Sequence, residues 1–306
     1  MFVVNPDAFL VPCYRISPFT TEHIARNTEL ETNDFAVNYF NKKFGKENWQ
    51  YTYNGREAIQ LALETYKLAT TDLVTILTTS NNFYISSCVT KEIEKICRWN
   101  REILPETKLL LVNHEFGYPF ADMEKLVATG LPIIEDCCTT FFSQDATEKI
   151  GQYGDFSVYS FPKFFPIQIG GLLVSNVKTA IKKSILNREE EHYIENVVSY
   201  HLTNETELLQ KRKAIFDYAQ EQFSNLGFTL RFKTKEKVIP SVLLLNNNTI
   251  IKDLNAFKQF LANNGVQSSV FYGEDAFFLP NHHSLTHKDV DYFISLISFF
   301  INFNSQ

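Results

Sequence analysis

The sequence predicts an α/β fold: a mostly parallel central sheet flanked by helices, followed by a smaller α+β C-terminal domain. Three observations predict it. Short, nearly continuous apolar runs at residues 73–77, 108–112 and 131–136 alternate with segments of helical period, the pattern of strands covered on both faces. From about residue 180 the composition changes to a long, highly charged helical stretch and then to shorter mixed elements. The length, 306 residues, suits two domains. The boundary falls near 180, with residues 1–180 as the larger α/β domain and 181–306 as the smaller one.

The elements follow in order. Residues 56–68 place Ala58, Leu61, Ala62 and Thr65 at helical spacing and predict a helix. Residues 73–77 predict a short buried strand, and the charged, periodic stretch 90–101 a second helix. Residues 108–112 read as another strand, 122–129 as a short helix, and 131–136 as a third strand ending in acid. Residues 156–160 and 172–174 are further short strands. Ligands of such sheets bind at the carboxyl ends of the strands. The groups at those ends are Asn54 and Gly55, the 78–84 turn, His114 and Asp136. Beyond 180, residues 178–226 read as helical throughout, 238–245 as strand, 252–264 as helix and 265–271 as strand. The Phe-rich tail places Val290, Phe293, Ile294, Ile297 and Ile301 on one helical stripe and predicts a packed terminal helix.

Charge and composition exclude several classes. The net charge of −6, with Lys and Arg scattered, argues against nucleic acid as a partner. Five cysteines, Cys13, Cys88, Cys97, Cys137 and Cys138, form no CxxC pair, which argues against a disulfide framework or a thiolate zinc site. Reduced cysteines point to a cytoplasmic protein. The N-terminus has no basic region and cleavage pattern of a signal peptide, and no apolar run reaches the roughly 18 residues of a membrane span. Adjacent His282 and His283 rarely chelate one ion, so they read as surface or packing residues, and no metal is expected.

Three features carry chemistry. Asp136 ends the buried strand Ile133-Ile134-Glu135-Asp136, and a buried carboxylate is costly without a partner. Either it caps the next turn, or it faces a cation such as a protonated pyridine nitrogen. Lys163 follows a strand and precedes Gly170-Gly171, among Phe161, Phe164 and Phe165. It is either a solvated loop lysine or a lysine kept in an apolar setting for carbonyl chemistry. Asn54-Gly55-Arg56 opens a helix, either as a plain turn or as a phosphate site made by amides at the helix's positive end.

Taken together and in this order, the segments resemble the DegT/StrS-type sugar aminotransferases, pyridoxal 5′-phosphate (PLP) enzymes of fold type I. The resemblance runs from about residue 28 to the end. It rests on NGREAIQLAL (the family's helix start), LVNHEFGYPFADMEKL (its strand-to-helix link), LPIIEDCCTTFF (its acid-ended strand), YGDFSVYSFPKFFPIQIGGLLVSN (its lysine-bearing run) and FLPNHHSLTHKDVDYF (its C-terminal signature). The resemblance implies a first domain that binds PLP. In it Lys163 would form the Schiff base and Asp136 would pair with the pyridine nitrogen. Ser160 with the amides of Gly55 and Arg56 would bind the phosphate, Tyr84 or the neighbouring Phe83 would stack on the ring, and Thr139 would stand beside it. It implies amino transfer from an amino acid, usually glutamate, to a nucleotide-linked keto-sugar for surface polysaccharide biosynthesis, by a homodimer.

The chain departs from the family pattern. Arg56 stands for a Thr or Ser, Thr139 for a Gln, and Ile169 for an acid. Ser160 and Lys163 are three residues apart where the family has five, whereas Lys163 to Gly170 keeps the family's seven. A G-x-N-x-R loop is not recognisable around residues 197–209, and the chain is several dozen residues shorter than typical members. These departures leave a second expectation open, a family-derived binding or partner subunit with a degenerate site.

Overall fold

The computed structural model describes residues 13–304. The N-terminal stretch read above as carrying no signal-peptide pattern lies almost wholly outside them. The described chain divides into two units. One comprises Phe19–Asn204 with Glu236–Ile239; the other comprises the residues up to Pro18, Glu205–Lys235 and the chain from Pro240 onward.

The first unit contains, in order, α1 (Glu22–Thr28), α2 (Phe35–Phe44), β1 (Trp49–Thr52), α3 (Gly55–Thr65), β2 (Leu73–Thr78), α4 (Ser87–Glu94), β3 (Arg98–Asn100), β4 (Thr107–Asn113), α5 (Met123–Val127), β5 (Ile133–Asp136), β6 (Phe156–Ser160), β7 (Gly171–Ser175) and α6 (Arg188–Thr203). The described strands form one seven-stranded sheet in the order β1-β7-β6-β5-β4-β2-β3. Strands β3, β2, β4, β5 and β6 run parallel, and β7 lies antiparallel between β6 and β1. The mostly parallel sheet expected from the apolar runs is present, and its first unit extends past the composition change near 180 to include α6.

Local chemistry corrects the expected boundaries. The helix expected over 90–101 begins at Ser87, where the Ser86 hydroxyl accepts from the Cys88 amide, and stops at Glu94. Arg98–Asn100 instead pairs with Leu73–Thr75 as an edge strand. Charged, periodic sequence cannot distinguish a helix end from a short edge strand when the partner strand is remote. The helical reading of 178–226 also starts too early. Asn187 accepts from the amides of Glu189 and Glu190 while Glu190 reaches back to the Asn187 amide, and this capping box starts α6 at Arg188.

The sheet separates two cores. On one face Ala58, Ile59, Ala62, Ile76, Leu111, Ile134, Val158 and Leu173 bury α3 and α4. On the other, Phe40 packs edge-on to Phe141 and stacks on Phe161, whose ring also meets Phe165. Ser199 of α6 accepts from the Ala36 amide and donates to the Asn33 carbonyl, fastening α6 to the start of α2.

The second unit contains α7 (Glu205–Asn225), β8 (Thr229–Leu230), β9 (Val242–Asn246), α8 (Leu254–Asn263), β10 (Ser269–Val270), β11 (Ala276–Pro280) and α9 (His287–Asn304). Its described strands form a four-stranded antiparallel sheet, β10-β11-β9-β8. Strand β9 starts at Val242, past Pro240, and the expected strand 265–271 contracts to Ser269–Val270. Phe223, Phe257, Phe277, Leu279, Phe293 and Ile297 form its core, so the stripe read in the tail is a packed face of α9. No described helix is long and apolar enough to cross a membrane. His282 is buried with Nε2 at 3.1 Å from the Arg15 carbonyl oxygen, which is the packing role expected of it.

One buried acid holds the loop that links β5 to β6. Glu135 is fully buried and accepts from the amides of Gly151 (2.9 Å), Tyr153 (2.7 Å) and Gly154 (2.8 Å). His114 Nε2 lies 3.2 Å from the same carboxylate, and its Nδ1 accepts from the Phe120 amide at 2.9 Å. Replacing Glu135 by Gln turns one acceptor oxygen toward amides as a donor. Unfolding by urea should show E135Q destabilised by about 3 kcal/mol, the scale of lost charge-assisted hydrogen bonds and an unmet amide; an unchanged midpoint would refute the role.

His201 on α6 carries a pH dependence. Burial, then the charges of Arg26 and His23, pushes its imidazole down to about 3. The folded chain therefore keeps His201 neutral while the unfolded chain protonates it below about 6.5. Stability is complete above that pH and falls as pH drops toward 3. His23, lowered by burial and then by Arg26, adds in the same direction. Between pH 6.5 and 5, the variant H201Q should lose up to about 1.4 kcal/mol per pH unit of this slope, measured by denaturant midpoints.

Candidate active site

The site begins with strand registry. Thr78, Asn113 and Asp136 are direct neighbours at the carboxyl ends of β2, β4 and β5. Two residues earlier on each strand, Ile76, Leu111 and Ile134 pack into the core beneath α3 and α4. Side chains alternate along strands, so Thr78, Asn113 and Asp136 face that same side, whereas Glu135 faces the other.

Helix α3 meets this row at its N-terminus. Asn54 caps it, with its side chain accepting from the Glu57 amide at 3.0 Å and its carbonyl from the Ala58 amide at 3.2 Å. The first two helix amides, on Gly55 and Arg56, are left open, as helix starts leave them. Glu57 accepts from the Tyr53 amide, from Ser184 Oγ (2.9 Å) and from the Ile185 amide (2.7 Å), fixing the turn from both sides. A Cβ at Gly55 would stand 2.6 Å from Cys138 Sγ and 3.4 Å from Ser160 Cβ. A Cβ at Gly171 would stand 2.7 Å from the Tyr159 oxygen and 2.9 Å from the Asn54 carbonyl carbon. These two glycines allow the α3 turn, the end of β6 and the residues after β5 to converge. Gly55 and Ser160 are thus brought together. Ser160 is half-buried, and no described residue hydrogen-bonds its hydroxyl. Arg56 is exposed on the same first turn.

Asp136 is 4% exposed. Its Oδ2 accepts from Asn113 Nδ2 at 2.9 Å and its Oδ1 from the Cys138 amide at 3.0 Å. Burial pushes the carboxyl up; the Cys138 amide and thiol, and the charges of His114 and Lys163, pull it back. The Cys138 thiol is held well above its ordinary range by burial and by Asp136, so it stays protonated beside that carboxylate. Asp136 is therefore a buried acid surrounded by donors, and it would gain from a cation.

Lys163 lies in a one-turn 3-10 helix, Phe161–Lys163, directly after β6. The Phe161 amide donates to the Gly170 carbonyl at 3.1 Å, and the Gly170 amide to the Tyr53 carbonyl at 2.7 Å, closing the loop. Phe161, Phe164 and Phe165 are fully buried, but their rings pack toward Phe141 and Phe142. They anchor the loop from below and do not enclose the lysine, which is exposed. This corrects the apolar setting expected from the sequence. The positive charge of Lys163 nevertheless acts on Asp136 and Cys138.

Two expected ring contacts are placed less directly. Tyr84 is 47% and Phe83 77% exposed, at the far end of the loop that leaves β2. Thr139 Oγ1 donates to the His114 carbonyl at 2.9 Å, as Thr140 Oγ1 does at 2.7 Å. The Thr139 hydroxyl hydrogen is committed, so toward a ligand it can act only as an acceptor. His114, expected at the strand ends, turns to Glu135 on the opposite face. His114, Glu135 and Cys137 bring ligand atoms within 4.8 Å, but the imidazole nitrogens and the carboxylate already serve the protein bonds described above.

Sequence reading passed over Asn113, Cys138 and Arg101. Arg101 donates to the Ile76 carbonyl, to Thr78 Oγ1 at 3.2 Å and to the Asn82 carbonyl at 2.6 Å. Glu115 accepts from the Ser80 amide at 2.7 Å. The two residues strap the loop carrying Phe83 and Tyr84. In R101M, backbone amides of residues 79–84 should exchange with deuterium at least tenfold faster, about one lost charge-assisted bond, while those of β5 stay protected.

Residues 93–188 match the model of the DegT/DnrJ/EryC1/StrS aminotransferase family, and this stretch contains Asp136, Cys138, Thr139, Ser160 and Lys163. GDP-perosamine synthase of Escherichia coli O157:H7 is 30% identical in an alignment covering 50% of this chain and 48% of that protein. The chain thus matches about half the length of this curated relative. Among solved structures, the aminotransferase TlmJ from Streptoalloteichus hindustanus superposes with a TM-score of 0.73 at 16% identity, over 95% of this chain and 99% of that one. The putative sugar aminotransferase Spr1654 from Streptococcus pneumoniae, in its PMP form, gives 0.73 at 14% identity, over 97% and 100%. Sugar aminotransferase CalS13 from Micromonospora echinospora gives 0.67 at 17% identity, over 94% and 99%. The fold is that of the sugar aminotransferases, the α/β fold of PLP-dependent transferases expected from the sequence.

Proposed function

We propose that this protein is a PLP-dependent aminotransferase. It would move an amino group from an amino acid, glutamate by family resemblance, to a nucleotide-linked keto-sugar. The observation that carries the reading is the buried Asp136 carboxylate, held by donors, with its neighbour Cys138 against the start of α3, which Ser160 also adjoins. These groups fit PLP. Asp136 would pair with the ring nitrogen and hold its proton. The Gly55 and Arg56 amides and Ser160 Oγ would bind the phosphate, with the exposed Arg56 guanidinium adding charge. Lys163 Nζ would hold the cofactor covalently.

Bound PLP supplies an electron sink for the α-carbon of the amino donor. The freed Lys163 amine would serve as general base at the donor's α-carbon and, within the same half-reaction, as general acid toward the cofactor; with the keto-sugar it would run the same transfer in reverse. Tyr84 would cover the ring, the loop straps at Arg101 and Glu115 holding its approach. Thr139 would contribute at most an accepting oxygen. The match of residues 93–188 to the aminotransferase family and the likeness to a nucleotide-sugar enzyme support this assignment. A cytoplasmic homodimer acting in polysaccharide biosynthesis belongs to the same reading, as does a cofactor-binding role for the larger of the two domains.

The test is spectroscopic. Protein mixed with PLP should develop a visible absorbance band, and borohydride should fix the cofactor's mass on the peptide bearing Lys163. K163A should lose the fixed mass and lower amino transfer by about 10²–10⁴-fold, the worth of a positioned general acid–base. A protein without the band, or with cofactor fixed equally in K163A, would sink the catalytic reading and favour a partner subunit with a degenerate site.

A further inference from the structure

We infer that Asn113 is a positioning residue for Asp136, holding one carboxylate oxygen so that the carboxylate keeps acceptor capacity open for the ring N–H of the cofactor. This rests on the proposed PLP reading. An ionised carboxylate has roughly four acceptor sites. Asn113 Nδ2 takes one on Oδ2, at 2.9 Å, and the Cys138 amide one on Oδ1, at 3.0 Å. The Cys138 thiol stands beside the same carboxylate and acts on it. Acceptor capacity remains on the carboxylate for a further donor.

The two donors come from two directions. Cys138 approaches from the turn after β5 and contacts Gly55 at the start of α3. Asn113 approaches from β4, as the strand neighbour of Asp136. The Thr79 amide donates to the Asn113 carbonyl at 3.2 Å, so the backbone of Asn113 is held while its side chain serves Asp136. Without the Asn113 amide the carboxylate would rotate about its last bond, held on one oxygen only. The charged and titratable groups acting on Asp136 are His114, Lys163 and Cys138. None replaces a neutral donor at Oδ2. The Asn113 amide also favours the ionised over the protonated carboxyl, which is the form that can keep a ring nitrogen protonated.

The test uses the full chain and PLP. Asn113→Ala removes the donor; Asn113→Leu removes it while keeping the bulk, and serves if the first variant does not fold. Apo-protein melting reports folding for both. The expected result is a PLP dissociation constant raised about 10- to 100-fold, the range for a hydrogen bond to a charged group. The pH midpoint of the bound cofactor's visible band should also move up, because a ring nitrogen carrying less positive charge withdraws less from the group that titrates. A merely structural role would lower melting without moving that midpoint. A folded variant with wild-type dissociation constant and midpoint overturns the inference while leaving the PLP reading intact. A wild-type protein that takes up no PLP overturns both.

Discussion

Two adjacent carboxylates, Glu135 and Asp136, are buried at the end of one strand, and each must be surrounded by donors. Strand alternation sends them to opposite faces of the sheet. Glu135 turns toward the β5–β6 link and is completed by three amides and His114, all from the protein. Asp136 turns toward the start of α3 and is completed only in part. One acid is structural and its neighbour is available, although their chemistry is identical. The difference lies in how many donors the surrounding chain brings to each.

The lysine loop follows the same logic of support from beneath. Its phenylalanines are fully buried against Phe141 and Phe142, which leaves Lys163 on the open side. An apolar base beneath an exposed charged side chain suits the role proposed for Lys163, which would hold a cofactor and then move a proton. The short spacing between Ser160 and Lys163 is accommodated by the single 3-10 turn directly after β6. Shortening therefore leaves the lysine beside the strand end, where its charge still acts on Asp136.

The parallel sheet was legible because its strands are continuous apolar runs and its helices have clear periods. Asp136, Ser160 and Gly55 were legible because they stand at the ends of those elements. The edge strand Arg98–Asn100 was not, since three charged or polar-flanked residues have no period of their own and exist as a strand only through pairing with Leu73–Thr75. The hydrogen bond made by Thr139 was not legible for a related reason. Its hydroxyl has a nearer use at the His114 carbonyl, which only the folded turn brings within reach.

By itself the sequence determined the alternation of strands and helices, the acid at the end of β5, the glycines that admit close approach and the lysine after β6. These follow from local period and from the identity of residues at element ends. Tertiary structure decided that Asn113 meets Asp136, that Cys138 meets Gly55, and that Arg101 secures the loop of Tyr84. Those partnerships depend on strand registry and on helix-to-sheet packing between distant segments. A one-residue slip in registry would turn Asn113 to the other face, so no reading of its own neighbours in sequence could have assigned its role.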